Sequence, residues 1–490
     1  MGYRELLELV RYARDSIRRD VIEEQSRSLI VSHYDADGLC SAAILSSTLA
    51  RFGIPYHIKV FEQLDVELLK YIASLRYEVV FLLDMGSGVL NLVAEYLRDK
   101  KLVVIVDHHQ PRQVPSLREN IIEVNPHRVN VDGSREVSTS SLTYFLAREL
   151  LGGVSSCRRF IPLAIAGALG DRQDQGEKKK LIGVNRVVVE EGIVQGVISE
   201  EIGLRLYGLK TRPLVKCLEY TVDPYLPGLT GNEEMCVKFL KSLGIEPRGP
   251  DGRYRYFTEL SEDEMRRMVI GLIRYLIEHG YTSVEAEEIF GYNYYNRLES
   301  EASPFYDLRE FSAYMNACGR MYRHGLGILL GQGYRSRDVV EKVLETYVEY
   351  RKVLSGALRR IRDARDKYVR ELEHIYVLNC RGEVSDRVLG AVASIVASSG
   401  ILGLDKPLVA LTQWEDYIKV SLRKTRDLRA EYREVNLGQI VEKVATEVGG
   451  VGGGHRDAAG AKIPLGTAEE FVSKLNEEIG AQAHVKEGSK

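Results

Sequence analysis

The chain has 490 residues, 44% hydrophobic and 28% charged, with a formal net charge of −3. This fits a soluble globular protein of two or three domains, and nothing in the total charge demands nucleic acid, although a basic groove could still exist locally. The six cysteines (Cys40, Cys157, Cys217, Cys236, Cys318, Cys380) include no Cys-x-x-Cys pair, which argues against a zinc ribbon or a disulfide framework and for a reducing compartment.

No apolar run is long enough to span a bilayer, and "MGYRELLELVRYARDSIRRD" carries charge throughout. It reads as an amphipathic helix rather than a signal peptide, so a cytoplasmic location is expected. "SLIVSH", "YHIKVF", "EVVFLLD", "KLVVIVD" and "NIIEVNP" then read as short, apolar strands buried on both faces. Helical stretches such as "LCSAAILSSTLARFG" separate them, and this alternation predicts an α/β fold with a doubly wound parallel sheet. Ligands of such sheets sit beyond the carboxyl ends of the strands, where Asp35, Asp37, Asp84 and Asp107 all fall.

"STSSLTYFLARELLG" starts a helix behind Ser/Thr caps, and "FIPLAIAGALGDRQDQG" is an apolar helix ending in Asp171. Residues 181–335 read as a mostly helical insertion and 336–373 as a charged linker helix between domains. Residues 374–490 read as a smaller α/β domain with strands "IYVLNC", "PLVALTQ" and "DYIKVSLRK". The N-terminal domain would occupy residues 1–180.

The candidate chemistry lies mainly in the first domain. His33, Asp35 and Asp37 alternate along a strand end and can share one side if the extension persists, with Gly38 allowing the turn that follows. An Asx-turn with a helix cap is the competing reading. Asp84, ahead of "MGSG", would alone be read as another cap. Asp107-His108-His109 is more specific, because adjacent histidines closing an apolar run cost solvation unless they have partners. Asp171 stands at the negative end of a helix dipole, offset either by a cation or by solvent. His33, Asp35, Asp37, Asp84, His108 and Asp171 together are too many ligands for one open ion. They suit two ions ~3.5–4 Å apart sharing a carboxylate. Imidazoles and carboxylates without thiolates favour Mn²⁺, with Mg²⁺ as a substitute.

In the last domain, Gly453 and Gly454 of the triple glycine allow close backbone approach to an anion, and His455 and Arg456 add phosphate donors. Arg423 is a further phosphate contact or a solvated charge. Arg456 could equally face solvent or pair with Asp457.

"SHYDADG", "LLDMGSG", "VDHHQ" and "GALGD" resemble, in order and spacing, the four motifs of the DHH phosphoesterases, and "GGVGGGHRDAAGAKIP" resembles the signature of their associated C-terminal domain. Asn125–Leu146 and Asp307–Leu330 look more particular to the archaeal RecJ-like nucleases, a group that also resembles the catalytically degenerate DHH subunit of the eukaryotic replicative helicase. The resemblance implies one metal on His33, Asp35 and Asp84 and another on Asp37, Asp84, His108 and Asp171. It implies that Asp107 orients the His108 region, that His109 faces the scissile phosphate, and that His455 assists from the C-terminal domain. The expected activity is a Mn²⁺-dependent exonuclease on single-stranded DNA or RNA in replication or repair. The rivals are a phosphodiesterase on short oligonucleotides or cyclic dinucleotides, and a replication scaffold bound to GINS or a helicase.

Overall fold

The computed structural model describes residues 2–114 and 117–484; residues 1, 115–116 and 485–490 of the expected terminal domains lie outside the described residues. Two compact units are present, one of residues 1–217 and 240–347, the other of residues 218–239 and 348–490.

The first unit is built on a five-stranded parallel sheet: β1 Ser28–His33, β2 Tyr56–Phe61, β3 Val79–Leu83, β4 Leu102–Val106 and β5 Ile121–Val124. The spatial order is β2-β1-β3-β4-β5. β3 and β4 are buried at every residue, which is why they read as unbroken apolar runs. Alternation divides them between the two faces: Leu29, Val31, Val80, Leu82, Val103 and Ile105 pack with Leu69, Ile72, Leu90 and Val93 on one side. Each such side chain contributes ~1.5–3 kcal/mol on burial. Val104→Asp at the centre of the sheet would bury an unpaired charge and break it.

The strand order reverses at β1, so the crevice expected to hold ligands lies beyond the carboxyl ends of β1 and β3. Helix Ala36–Arg51 leaves that crevice, capped by Asp35, whose Oδ1 accepts from Gly38 N at 3.0 Å. Helices Thr139–Leu151, Ile161–Gly170 and Leu308–Arg320 surround it.

The stretch read as mostly helical contains an antiparallel pair as well, β6 Ile198–Leu204 and β7 Phe290–Asn296. β6 carries "SEE" at its start and pairs with a strand far along the chain, so its local pattern is weak. The linker helix runs Arg337–Asp363 and stops short of the expected Glu373, because Ala364 leaves helical geometry (φ −132°, ψ 49°) and β8 Val369–Glu371 begins soon after.

The second unit carries a six-stranded sheet in the order β12-β13-β11-β10-β9-β8. It adds β9 Tyr376–Asn379, β10 Leu408–Trp414, β11 Tyr417–Arg423, β12 Val451–Gly454 and β13 Ala458–Pro464. Only β9 and β10 pair in parallel. The triple-glycine stretch expected to form an anion loop is instead an edge strand in register with β13, Gly453 opposite Gly460. Glycine suits this place because helix Leu437–Glu447 presses against it: a Cβ on Gly452 would stand 2.8–2.9 Å from Val441 and Ala445.

Candidate metal centre

The expected ligands converge at the carboxyl edge of the parallel sheet. His33 ends β1, and its Nδ1 lies 3.0 Å from Asp35 Oδ2 and 3.3 Å from Asp84 Oδ2. His108 follows β4, and its Nε2 lies 3.3 Å from Asp84 Oδ1 and 3.1 Å from Asp171 Oδ2. Two donor groups hold the six expected ligands, one of His33, Asp35 and Asp84, the other of Asp37, Asp84, His108 and Asp171, and a third overlaps them, Asp84 with His108 and His109; the ligand atoms of each lie within 4.8 Å of one another. Asp84 belongs to all of them. It is 3% exposed and sits in left-handed backbone (φ 62°), a conformation a short acid tolerates. Its N–H donates to the Val106 carbonyl at 2.9 Å, which pins the exit of β3 to β4.

The other groups are placed by partners to which the sequence reading gave no role at the metal centre. Asp37 is buried and receives the N–H groups of Thr139 (2.7 Å) and Ser140 (2.9 Å), at the start of helix Thr139–Leu151. Thr139 Oγ1 donates onward to Asp84 at 3.1 Å. Gly167 lets the Ile161–Gly170 helix come this close, since a Cβ there would stand 2.5 Å from Asp37 Oδ1. Asp171 is the C-cap of that helix. Asn316 accepts from Ala36 N at 3.1 Å and so steadies the turn between Asp35 and Asp37.

His108 Nδ1 donates to the Gly133 carbonyl at 2.6 Å, leaving a lone pair on Nε2 for a cation. Gly133 must be glycine, because a Cβ would fall 2.0 Å from the His108 carbonyl oxygen. Gln173 donates to the same Gly133 carbonyl at 3.0 Å and is fixed by Asn185 at 2.6 Å. The resemblance had given Asp107 the task of orienting the His108 region. The structure gives the ring of His108 to Gly133 and couples Asp107 to His109: Asp107 Oδ1 accepts from His109 N (3.1 Å) and Nδ1 (2.8 Å), and Oδ2 accepts from Ser87 N (2.9 Å). Asn125 closes the frame by donating to the His109 carbonyl and Ser87 Oγ, both at 2.9 Å. Among these partners, the Ser/Thr run at 138–141 was read as a helix start, and it and Gly133 lie in the Asn125–Leu146 stretch of the resemblance, with no role given to either at the metal centre; Gln173 gave no local signal.

The electrostatics fit divalent cations. Burial alone would raise Asp84, yet the imidazoles of His108 and His33 close beside it hold it well below the usual carboxylate range. Burial opposes protonating His33 and His108, but Asp35 and Asp84, and Asp171 and Asp84, carry these rings well above the ordinary imidazole value. Burial, then Asp171 and Asp84, push Asp37 up. Carboxylates and imidazoles this crowded suit divalent cations, which would offset the negative charge. His33 Nδ1, Asp84 Oδ2 and His108 Nε2 are buried yet lack any hydrogen bond of adequate geometry, as expected of atoms aimed at an ion.

The C-terminal residues belong to the second unit. His455 follows β12, and its N–H donates to the Ala458 carbonyl at 2.8 Å across the hairpin turn. Arg456 is tied to Glu434, and Asp457 to Lys424 at 2.6 Å, so the considered Arg456–Asp457 pair is replaced by two others. Arg423 is bonded within its own unit, to Ser394 Oγ of the helix Asp386–Ser399 at 2.9 Å and to the Leu422 carbonyl at 2.6 Å.

Three family descriptions match the chain: the DHH family N-terminal domain over residues 27–168, the DHH-CID domain over 206–290 and the DHHA1 domain over 375–481. The chain thus carries the three domains of the DHH proteins, and its fold is like that of RecJ. An uncharacterized protein of Methanocaldococcus jannaschii is 29% identical over 95% of this chain and 96% of its own length. RecJ of Thermus thermophilus, solved with Mn²⁺ and also with Mg²⁺, shares the fold. Its Mn²⁺ structure has a TM-score of 0.56 at 17% identity over 97% of this chain, which spans 55% of that protein. CDC45 of Entamoeba histolytica shares the fold too, with a TM-score of 0.64 at 12% identity over 97% of this chain and 99% of that one. Among the described residues no helix is long and apolar enough to cross a membrane.

Proposed function

We propose that this chain is a Mn²⁺-dependent exonuclease that hydrolyses single-stranded DNA or RNA to nucleoside 5′-monophosphates, acting in replication or repair. The observation that carries the reading is Asp84, shared by two donor groups that together hold four carboxylates and two imidazoles. Divalent cations in those groups would supply Lewis acidity and a water ionised at neutral pH for in-line attack on phosphorus. The chain's own residues do the rest. Asp37 is aimed by two backbone N–H groups, and His108 by the Gly133 carbonyl. His109, held by Asp107, presents its ring to the phosphate, and His455 and Arg456 stabilise developing negative charge. Gly453 and Gly454 admit the phosphate backbone, and Arg423 holds their sheet in place.

End-labelled single-stranded DNA and RNA of mixed lengths, incubated with Mn²⁺, should be degraded to mononucleotides without build-up of dimers. Accumulating dimers, or activity confined to dinucleotides, would overturn the exonuclease reading. A second reading, a scaffold beside a replicative helicase or GINS with secondary nuclease activity, is supported by the likeness to CDC45 over nearly the whole of both chains. The complete donor set favours the enzyme, and the two roles are compatible.

A further inference from the structure

The first unit holds a cavity of about 350 Å³ that takes in none of the metal-centre residues. It lies at the beginning of helix Ile161–Gly170, whereas Asp171 caps the other end, ~15 Å away at 1.5 Å per residue. Its volume is at the low end of small-molecule pockets, about 300–1,000 Å³, and too small for a polymer.

Phe160, Leu163, Leu308 and Phe311 supply apolar wall. The polar groups are unevenly satisfied. Asn296 is 5% exposed; its Oδ1 accepts from Leu298 N at 3.1 Å, but its amide nitrogen has no hydrogen-bond partner among the described residues. That nitrogen is not among the fully buried polar atoms, so it is open to an acceptor that enters the cavity. Arg335 is neutralised by Glu299 at 2.8 Å. Arg159 makes no ion pair among the described residues: its contact is the Phe160 ring, 4.9 Å from the guanidinium. Arg51 approaches the same ring at 5.8 Å and donates only to the Ser156 carbonyl, at 2.6 Å. Partial burial and the charge of Arg51 both work against keeping Arg159 protonated. Arg159 therefore brings a guanidinium without a carboxylate to the cavity wall, and Arg51, outside that wall, adds its charge from beside the Phe160 ring.

We propose that this cavity is a second ligand site, for a small phosphomonoester whose flat or apolar body enters among Phe160, Leu163, Leu308 and Phe311 while its phosphate meets Arg159. A phosphate dianion answers Arg159 with two or more charge-assisted bonds and is further favoured by the nearby charge of Arg51. The unpaired amide of Asn296 selects a body with a hydrogen-bond acceptor, as a nucleobase has. The site stands independently of what the metal centre cleaves.

Adenosine 5′-monophosphate is the probe, titrated calorimetrically into the full chain with excess chelator, so that no cation draws phosphate to the metal centre. Wild type, Arg159→Glu, Leu298→Trp and His455→Ala are compared. Arg159 is exposed and Leu298 is 48% exposed, so neither substitution burdens the core. Leu298 belongs to the cavity wall, and tryptophan there would fill it. Wild type and His455→Ala should bind with a dissociation constant below ~1 mM, and both wall variants should lose at least about tenfold. Adenosine should bind at least about tenfold more weakly than its monophosphate. No saturable binding by wild type, undiminished binding in either wall variant, equal binding of adenosine, or loss in His455→Ala would each overturn the assignment. Loss in His455→Ala would place the nucleotide on the C-terminal hairpin instead. A failed cleavage assay leaves these outcomes unaffected.

Discussion

Asp84 and Arg456 were both singled out as carriers of chemistry, yet they stand in opposite surroundings. Asp84 is buried in left-handed backbone with two imidazoles against its oxygens. Arg456 is about half exposed at a hairpin turn and tied to Glu434. A carboxylate group so crowded and so dry has a clear use in holding cations. An exposed arginine with an acidic neighbour has a second occupation, the surface ion pair. The predictions test that contrast, beginning where alternatives are fewest.

Removing the cations should have the largest effect. Excess chelator should abolish phosphodiester cleavage, and Mn²⁺ should restore it best, with Mg²⁺ weaker, read as product release on a labelled oligonucleotide. Full activity in chelator would dissolve the difference between the two regions. Asp84→Ala comes next. It should cut turnover to background while a native circular dichroism spectrum is kept, because both donor groups lose their common member. A folded variant with near-normal turnover would exclude the shared-ligand arrangement.

His455→Ala should lower turnover by about 10²–10³, the scale for losing one transition-state donor, with Mn²⁺ affinity unchanged. Unchanged single-turnover rates would make the hairpin a structural feature only. Gly133→Ala sits on the other side of the comparison. Its Cβ would collide with the His108 carbonyl, 2.0 Å away, and disturb the bond that sets the His108 tautomer. Mn²⁺ affinity should fall by about 10–100-fold, the usual cost of losing a ligand's orienting partner. Wild-type affinity by titration calorimetry would show that the loop relaxes without moving His108.

How much of this could be read beforehand follows the same division. The parallel sheet was legible because β3 and β4 are buried on both faces and therefore print continuous apolar runs. The donors at the strand ends were legible because polar residues closing such runs need a reason. The groups that aim them were not. Gly133, Thr139 and Ser140 lie 25, 102 and 103 residues from the ligands they bond, Gln173 lies 40 from Gly133, and a glycine valued for the space it leaves has no local pattern. The strand β6 was missed for a related cause: its partner β7 lies some ninety residues on, and half its side chains are polar. The glycine stretch was read for its freedom of conformation, whereas packing against the Leu437–Glu447 helix also accounts for Gly452.

Arg456→Ala should have the smallest effect and is the most discriminating test at the hairpin. Its guanidinium is engaged by Glu434, and exposed pairs of this kind contribute little to stability, so the variant should melt where wild type does. If the arginine swings to a substrate phosphate, binding of a single-stranded oligonucleotide should weaken a few-fold, and the dependence of log K on log salt should flatten by ~0.7, the share of one phosphate contact on a single strand. Glu434→Ala provides the opposite sign. Releasing the arginine from its acidic neighbour should leave the salt slope intact and tighten binding, since no partner must be given up on contact. Were both variants to keep wild-type affinity and slope, Arg456 would be a surface ion-pair partner, and phosphate recognition by the hairpin would fall to His455 and the backbone of Gly453 and Gly454.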